Sequence, residues 1–379
     1  MSNMLTVTAR DGNGRVGFFQ ANGKTIHVPC FMPVGTRGGV KSLSGSDLTS
    51  LGFEVMLANT YHLMLRPGAQ IVKDLGGVGS FGRWPRAVLT DSGGYQVFSL
   101  KSSYSAHGVH FKSVYDGSRH ELTPERACEI QLMLGSDIQM ALDVCSELPS
   151  DPGTLRGAAE LSVAWGDRAL RFFHATSRDH GESNPLLFGI VQGGDDSDLR
   201  AWATRQTRAR AFDGLAIGGL SVGEPRQVMT NMIEVVVGQL DFDPRPRYLM
   251  GVGDPVGILE AVSRGIDMFD CVLPTRLARH GTVLTDLGKV HLKARDNGSR
   301  DDPMEEGCTC EGCANCSRGY IRHLFNVGDP TALRLASIHN LAWMYRLMTR
   351  ARYAIEAGSL TGLISQVKGA FEGEGRLDC

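Results

Sequence analysis

No stretch of this 379-residue chain approaches the ~20 consecutive apolar residues that a membrane-spanning helix needs. The opening residues, MSNMLTVTARDGNGR, lack the apolar core of a secretory signal. Charge imbalance is missing too: 39 Lys and Arg against 41 Asp and Glu leave a formal −2, so no global basic field advertises nucleic acid. There is no low-complexity tract and no internal repeat beyond a strand–helix unit. Cysteine is present, but nine in a long chain without an export signal point to thiols or metal ligands rather than a disulfide framework. These absences predict a soluble cytoplasmic protein whose chemistry is local.

What is present is rhythm. Eight short apolar runs, each ending in a polar or glycine-rich cluster, recur along the chain: CFMPVGT (30–36), EVMLANT (54–60), AVLTDSGG (87–94), IQMALDVC (138–145), LLFGIVQGG (186–194), GLAIGGL (214–220), YLMGVGD (248–254) and MFDCVLPT (268–275). Segments with helical period and caps alternate with them, at 123–135, 151–175, 198–212, 226–240 and 254–266. This alternation predicts an α/β fold, a (β/α)8 TIM barrel, with chemistry at the carboxyl ends of its strands. A two-wound open sheet is the alternative, and eight runs favour closure. Two insertions break the rhythm. Residues 101–122 read as a β-hairpin with an Asp116-Gly117 turn, and residues 282–320 hold a second hairpin and a cysteine cluster. The expected organisation is one barrel domain over 1–379 with a zinc-binding subdomain inserted at 282–345, after strand eight. The small, polar stretch from Gly358 to Cys379 reads as a frayed end.

Cys308, Cys310 and Cys313 form C-x-C-x2-C, and His339 follows on a predicted helix. Three thiolates and an imidazole make the closed tetrahedral set of one structural Zn2+. A small insertion with little core of its own would draw its folding energy from that ion. Cys316 competes as fourth ligand. At the strand ends, Asp91 closes the third run beside Gly93 and Gly94, and Asp270 lies near the end of the eighth. Paired carboxylates suit glycosidic chemistry, one attacking the anomeric carbon while the other handles the leaving group's proton; each taken singly also reads as a strand-end cap. Asp143, Gln192 and the Gly218-Gly219 pair end runs four to six. A carboxylate, a carboxamide and free backbone N–H groups complement the edge of a guanine-like base.

Taken in order, FMPVGT, ANTYHL, LTDSGGYQVFSL, ALDVC, GIVQGG, GLSVGE, MGVGDP, FDCVLPTR and the C-x-C-x2-C…SIHN set resemble the bacterial type of tRNA-guanine transglycosylase, over about residues 30–345. The resemblance implies exchange of guanine at the wobble position of GUN anticodons (tRNAs for Asp, Asn, His and Tyr) for 7-aminomethyl-7-deazaguanine, in queuosine synthesis. It implies Asp270 as the nucleophile that forms a covalent enzyme–RNA intermediate and Asp91 as the general acid/base. Ser92, Gly93, Gly94 and Tyr95 would line the base pocket, with Tyr95 stacking, and Asp143, Gln192, Gly219 and Leu220 would read the base. Met250, Gly251, Val252, Gly253 and Asp254, with Thr275, Arg276, Leu277, Ala278 and Arg279, match stretches that contact the RNA. A tRNA, a 7-deazaguanine base, a structural zinc and a second copy of the chain are the implied partners. Arg276, Arg279, His280, Lys289, Lys293, Arg295, Arg318 and Arg322 concentrate positive charge after the eighth strand, where phosphates need it. Cys145 and Val222 fit the bacterial base. Leu277 departs from the family, standing where relatives often carry a polar residue. Two other readings are a transglycosylase acting on DNA and an idle RNA-docking subunit; the presence of both Asp91 and Asp270 argues against the latter.

Overall fold

The computed structural model describes residues 4–98, 103–177, 184–221 and 223–371. The first element it describes lies ahead of the eight runs. Strands β1 (Thr6–Asp11), β2 (Gly14–Ala21) and β3 (Lys24–Val28) pair as an antiparallel sheet. Phe19, Ala21, Ile26 and Val28 of that sheet are buried in one cluster with Val55, Ala87, Ile138, Phe188, Tyr248 and Met268. Those partners lie mostly at the starts of barrel strands, so the sheet covers the end of the barrel opposite the strand-end loops. Arg15 fastens it there through a buried ion pair with Asp267 and hydrogen bonds to the carbonyls of Asp243 and Arg245.

The first run splits into β4 (Cys30–Met32) and β5 (Val34–Gly35) at Pro33, which has no N–H to give. Its carbonyl still accepts from Leu57 N at 3.0 Å. Then come β6 (Val55–Asn59) and β7 (Ala87–Asp91). A separate antiparallel sheet of β8 (Ser103–Tyr104), β9 (Val109–Lys112) and β10 (Arg119–Leu122) forms the first insertion. The remaining barrel strands are β11 (Ile138–Met140), β12 (Leu186–Val191), β13 (Gly214–Ile217), β14 (Arg247–Leu249) and β15 (Met268–Asp270). All barrel pairs are parallel. β4 lies beside β15 and β5 beside β6, so the ring closes through Pro33. The eight runs form a (β/α)8 barrel, and its register sets Asp91 opposite Asn59 and Asp270 opposite Met32.

Helices follow their predicted places: Pro124–Met133, Pro152–Ser177, Ser197–Arg208, Arg226–Gly238 and Pro255–Ser263. Thr123, Asp196 and Asp254 accept backbone N–H groups at the first turns of three of them, as N-caps do. The second insertion contains the hairpin β16 (Thr282–Thr285) and β17 (Gly288–His291) and the helix Arg318–Val327; the 27-residue helix Pro330–Glu356 follows. Up to Phe371 the tail corrects the expectation of a frayed end, residues 372–379 lying outside the described residues. Leu360–Phe371 is a helix with Leu360, Leu363, Val367 and Phe371 buried, and Phe371 lies 5.6 Å, ring to ring, from Trp343. Tertiary burial there outweighs the weak helix propensity of its glycines.

Candidate active site and metal centre

β6 and β7 deliver Asn59, Thr60 and Asp91 together. Asn59 Nδ2 donates to Asp91 Oδ2, and Thr60 N donates to Oδ1 at 3.0 Å. Asp91 is half-buried, and its carboxyl is lifted from 3.8 to about 7, by burial first and then by the negative charges of Asp270 and Asp143, against the Thr60 N–H. The coupling puts the ends of the third and eighth runs in one electrostatic neighbourhood. Asp270, on β15, takes the Tyr248 hydroxyl at 2.6 Å and Gly251 N at 2.8 Å, both on Oδ1. No donor among the described residues is shown on its Oδ2. Burial raises its pKa while those two donors pull it back.

Next to this pair lies the second acidic group. Gln192 Nε2 donates to Asp143 Oδ2 at 2.6 Å and Ser92 Oγ to Oδ1 at 3.4 Å. Burial raises Asp143 to about 6 against both bonds. Gly94 and Gly219 have no room for a side chain. A Cβ at Gly94 would meet Asp143 Oδ1 at 2.6 Å, and one at Gly219, whose φ is +64°, would meet Gln192 Oε1 at 2.4 Å. Gly93 packs on Tyr61, Leu220 is buried, and Tyr95 is 57% exposed.

The stretches matched to RNA contact divide by burial. Gly251 N serves Asp270, and a Cβ at Gly253 would meet Cys271 Cβ at 2.4 Å. Val252 and Asp254 are buried, Asp254 capping Pro255–Ser263 and pairing with Arg226 at 2.6 Å, while Met250 is half-buried. In the helix Leu273–Arg279, Thr275 and Ala278 face inward; Arg276, Leu277 and Arg279 are half-buried. Of the basic group, Arg318 holds the carbonyls of Pro303 and Met304 and the carboxylate of Asp302, and Arg322 holds the carbonyl of Ala294. Those two brace the insertion. Cys145 is buried beside Asp143; Val222 lies outside the described residues.

Three residues close to the carboxylates were not singled out in the sequence. Asn59 ends the second run, so the rule that found Asp91 reaches it. Tyr248 sits inside a run, where an aromatic reads as core. Arg200, on Ser197–Arg208, reads as a solvated helix face, yet it is wholly buried. It donates to Gly194 O at 2.9 and 2.6 Å and to Gly218 O at 3.2 Å, so one guanidinium ties two glycine turns together.

Away from the pocket, Cys308, Cys310, Cys313 and His339 place one ligand atom each within 4.8 Å of one another. The three sulfurs stand 3.6, 3.6 and 3.3 Å from His339 Nδ1. A tetrahedron with zinc-like bonds to sulfur and nitrogen has an S–N edge of about 3.6 Å. His339 Nε2 bonds Leu284 O at 2.8 Å, which leaves Nδ1 as the ligating atom. The group can hold a metal ion. Cys316 lies outside it, packed among the apolar residues of the insertion.

Residues 11–372 match the family described as Queuine tRNA-ribosyltransferase. A protein of that name from Thermoanaerobacter pseudethanolicus is 46% identical over 350 residues, 92% of each chain. One from Lawsonia intracellularis is 44% identical over 364 residues, 96% of each. One from Symbiobacterium thermophilum is 46% identical over 347 residues, 91% of this chain and 85% of its own. With a closed barrel, two strand-end carboxylates and a Cys3His group in place, the chain belongs to the queuine tRNA-ribosyltransferase family.

Proposed function

We propose that this protein exchanges guanine at the wobble position of GUN-anticodon tRNAs for 7-aminomethyl-7-deazaguanine by double displacement, in queuosine synthesis. The observation that carries this reading is the electrostatic meeting of Asp91 and Asp270 beside the Asp143–Gln192 pair. Asp270 Oδ2 attacks ribose C1′ as the bond from C1′ to guanine breaks, and Asp91 gives its proton to the departing base. The incoming base then attacks C1′ as Asp91 takes its proton, and Asp270 is released. Two inversions retain configuration. A carboxyl near 7 is suited to both proton transfers at neutral pH. Asp143 accepts from the base's N1–H and exocyclic amine. Gln192 has two amide hydrogens; one stays on Asp143 and the other donates to the base carbonyl, with a backbone N–H at Gly219–Leu220 beside it.

The domain arrangement belongs to the same proposal: one barrel over 1–379, braced at 282–345 by one structural zinc on Cys308, Cys310, Cys313 and His339. We place the protein in the cytoplasm as a homodimer. Support for the dimer comes from exposed apolar side chains, among them Ile71 and Leu75 at one helix and Tyr320 and Val327 on another. No helix among the described residues is long and apolar enough to cross a membrane.

Trapping tests the chemistry. Denaturing electrophoresis of the protein with substrate tRNA and a base analogue should show a shifted covalent band, absent from Asp270→Ala, which still binds RNA. An exchange rate unchanged by Asp270→Ala removes it as nucleophile. Labelled guanine offered with tRNA and with duplex DNA should enter tRNA; labelling of DNA alone overturns the substrate assignment.

A further inference from the structure

Three residues with no role so far stand together on the rim. Arg66 Cζ lies 4.5 Å from the centre of the Tyr115 ring and Arg37 Cζ 5.5 Å from it. Tyr115 is half-buried, its hydroxyl 2.9 Å from His62 Nδ1. Both arginines are exposed, and among the described residues neither forms an ion pair. Asp116, the nearest acid in sequence, is turned into its own loop, accepting from Ser118 N and Oγ. The ring attracts each guanidinium, while two like charges at one ring repel each other. An anion within reach of both relieves that repulsion, and the guanidinium fork matches phosphate geometry. With the Tyr115 ring occupied by cations, the cluster offers the charge of Arg37 and Arg66 rather than a stacking face.

Topology says which anion. Arg37 follows β5, His62 and Arg66 follow β6, and Tyr115 is in the β9–β10 turn after β7. Around the ring, β4, β5 and β6 separate β15, which carries Asp270, from β7, which carries Asp91. The opposite arc, β11 to β14, carries Asp143, Gln192, Gly219 and Gly251. The cluster is also joined to the acid: Val114 N donates to Tyr61 Oη at 3.4 Å, and Tyr61 adjoins the Asn59–Thr60 pair that holds Asp91.

We propose that Arg37, Arg66 and Tyr115 form a binding site for a backbone phosphate of the RNA beside the exchanged nucleotide. The proposal rests on the transglycosylase reading: the base lies toward the arc of β11 to β14 and its ribose between the two carboxylates, so the sugar–phosphate chain leaves over the arc of β4 to β6. In a chain of net charge −2, such local cations have to supply the attraction.

The test is RNA affinity across salt, with full-length protein and an anticodon stem-loop RNA carrying G at the wobble position. Arg37→Gln/Arg66→Gln should weaken binding on the order of tenfold near 0.1 M salt and flatten the plot of log affinity against log salt by roughly 0.7 for each phosphate left unneutralised. Arg37→Lys/Arg66→Lys keeps the charge and should restore most of the slope. Thermal unfolding of each variant separates weakened binding from a damaged fold. Should the double glutamine variant unfold, Tyr115→Leu, which leaves both charges but removes their platform, should still weaken RNA binding. Affinity and slope unchanged in the glutamine variant overturn the phosphate site, and so does weaker binding with an unchanged slope. A wild-type protein that exchanges guanine in tRNA while the glutamine variant binds normally sinks this site alone; a wild type that neither binds nor exchanges in tRNA sinks the transglycosylase reading beneath it.

Discussion

Asp91 carries two demands that one side chain can meet only where it sits. Burial and the Asp143 and Asp270 charges keep its proton on until about pH 7 in the folded chain, against 3.8 for an ordinary aspartate. Between those values the native state binds more protons than the unfolded one, so stability falls as pH rises through that window, and the full penalty is in place above 7. Asp91→Asn removes the titration. Its melting temperature should therefore gain on wild type by roughly 2–4 °C between pH 5 and pH 8, measured by thermal unfolding at both pH values. A difference that does not change with pH removes burial of the charge as the explanation. Both carboxylates were legible in the sequence because polar residues at the ends of apolar runs stand out. Their partners were less so. Tyr248 and Arg200 are placed by tertiary packing, and neither a tyrosine in a strand nor an arginine on a helix carries a local mark of that.

Among elements, the insertion after β15 shows what a small segment needs. Asn340, on the helix Pro330–Glu356, accepts from Leu284 N and donates to the carbonyls of Pro274 and Thr282, so the hairpin is pinned to that helix. The cysteine loop has less to hold it, and Arg346 adds a hydrogen bond from its guanidinium to Cys308 Sγ at 3.0 Å. Metal binding in such a loop is folding energy. Elemental analysis should find one zinc per chain. Cys313→Ser should retain under about a tenth of it and Cys316→Ser nearly all, with chelation raising amide exchange in 300–316 but not in β7 or β12. Full zinc in Cys313→Ser, or none in Cys316→Ser, reverses the ligand set. The hairpin was readable from its alternation, and the gathering of Cys308, Cys310, Cys313 and His339 from spacing that had left Cys316 as a competitor. The tail helix was not, since Gly358, Gly362 and Gly369 disguise a segment that only packing makes helical.

At the scale of the molecule, the barrel was the plainest thing in the sequence. Parallel strands buried on both faces must be continuously apolar, and seven of the eight runs became single strands. The exception is the first run, broken where proline withholds its N–H. The β1–β3 sheet was missed because β1 (TVTARD) and β3 (KTIHV) are short and largely polar, while β2 (GRVGFFQA), mostly buried, has only a brief apolar core. If exposed apolar side chains such as Ile71, Leu75, Tyr320 and Val327 are covered across a twofold axis, sedimentation at micromolar concentration should give twice the 41.0 kDa chain mass. A 41.0 kDa species there removes the dimer.

That same early sheet sets an order of events in synthesis. β1 to β3 leave the ribosome ahead of the barrel strands and can pair with each other at once. Phe188, Tyr248 and Met268, which complete the buried cluster around Phe19 and Ile26, are translated far later. Until then a greasy surface has no native cover, and the nascent chain must be kept from its neighbours while the barrel is finished.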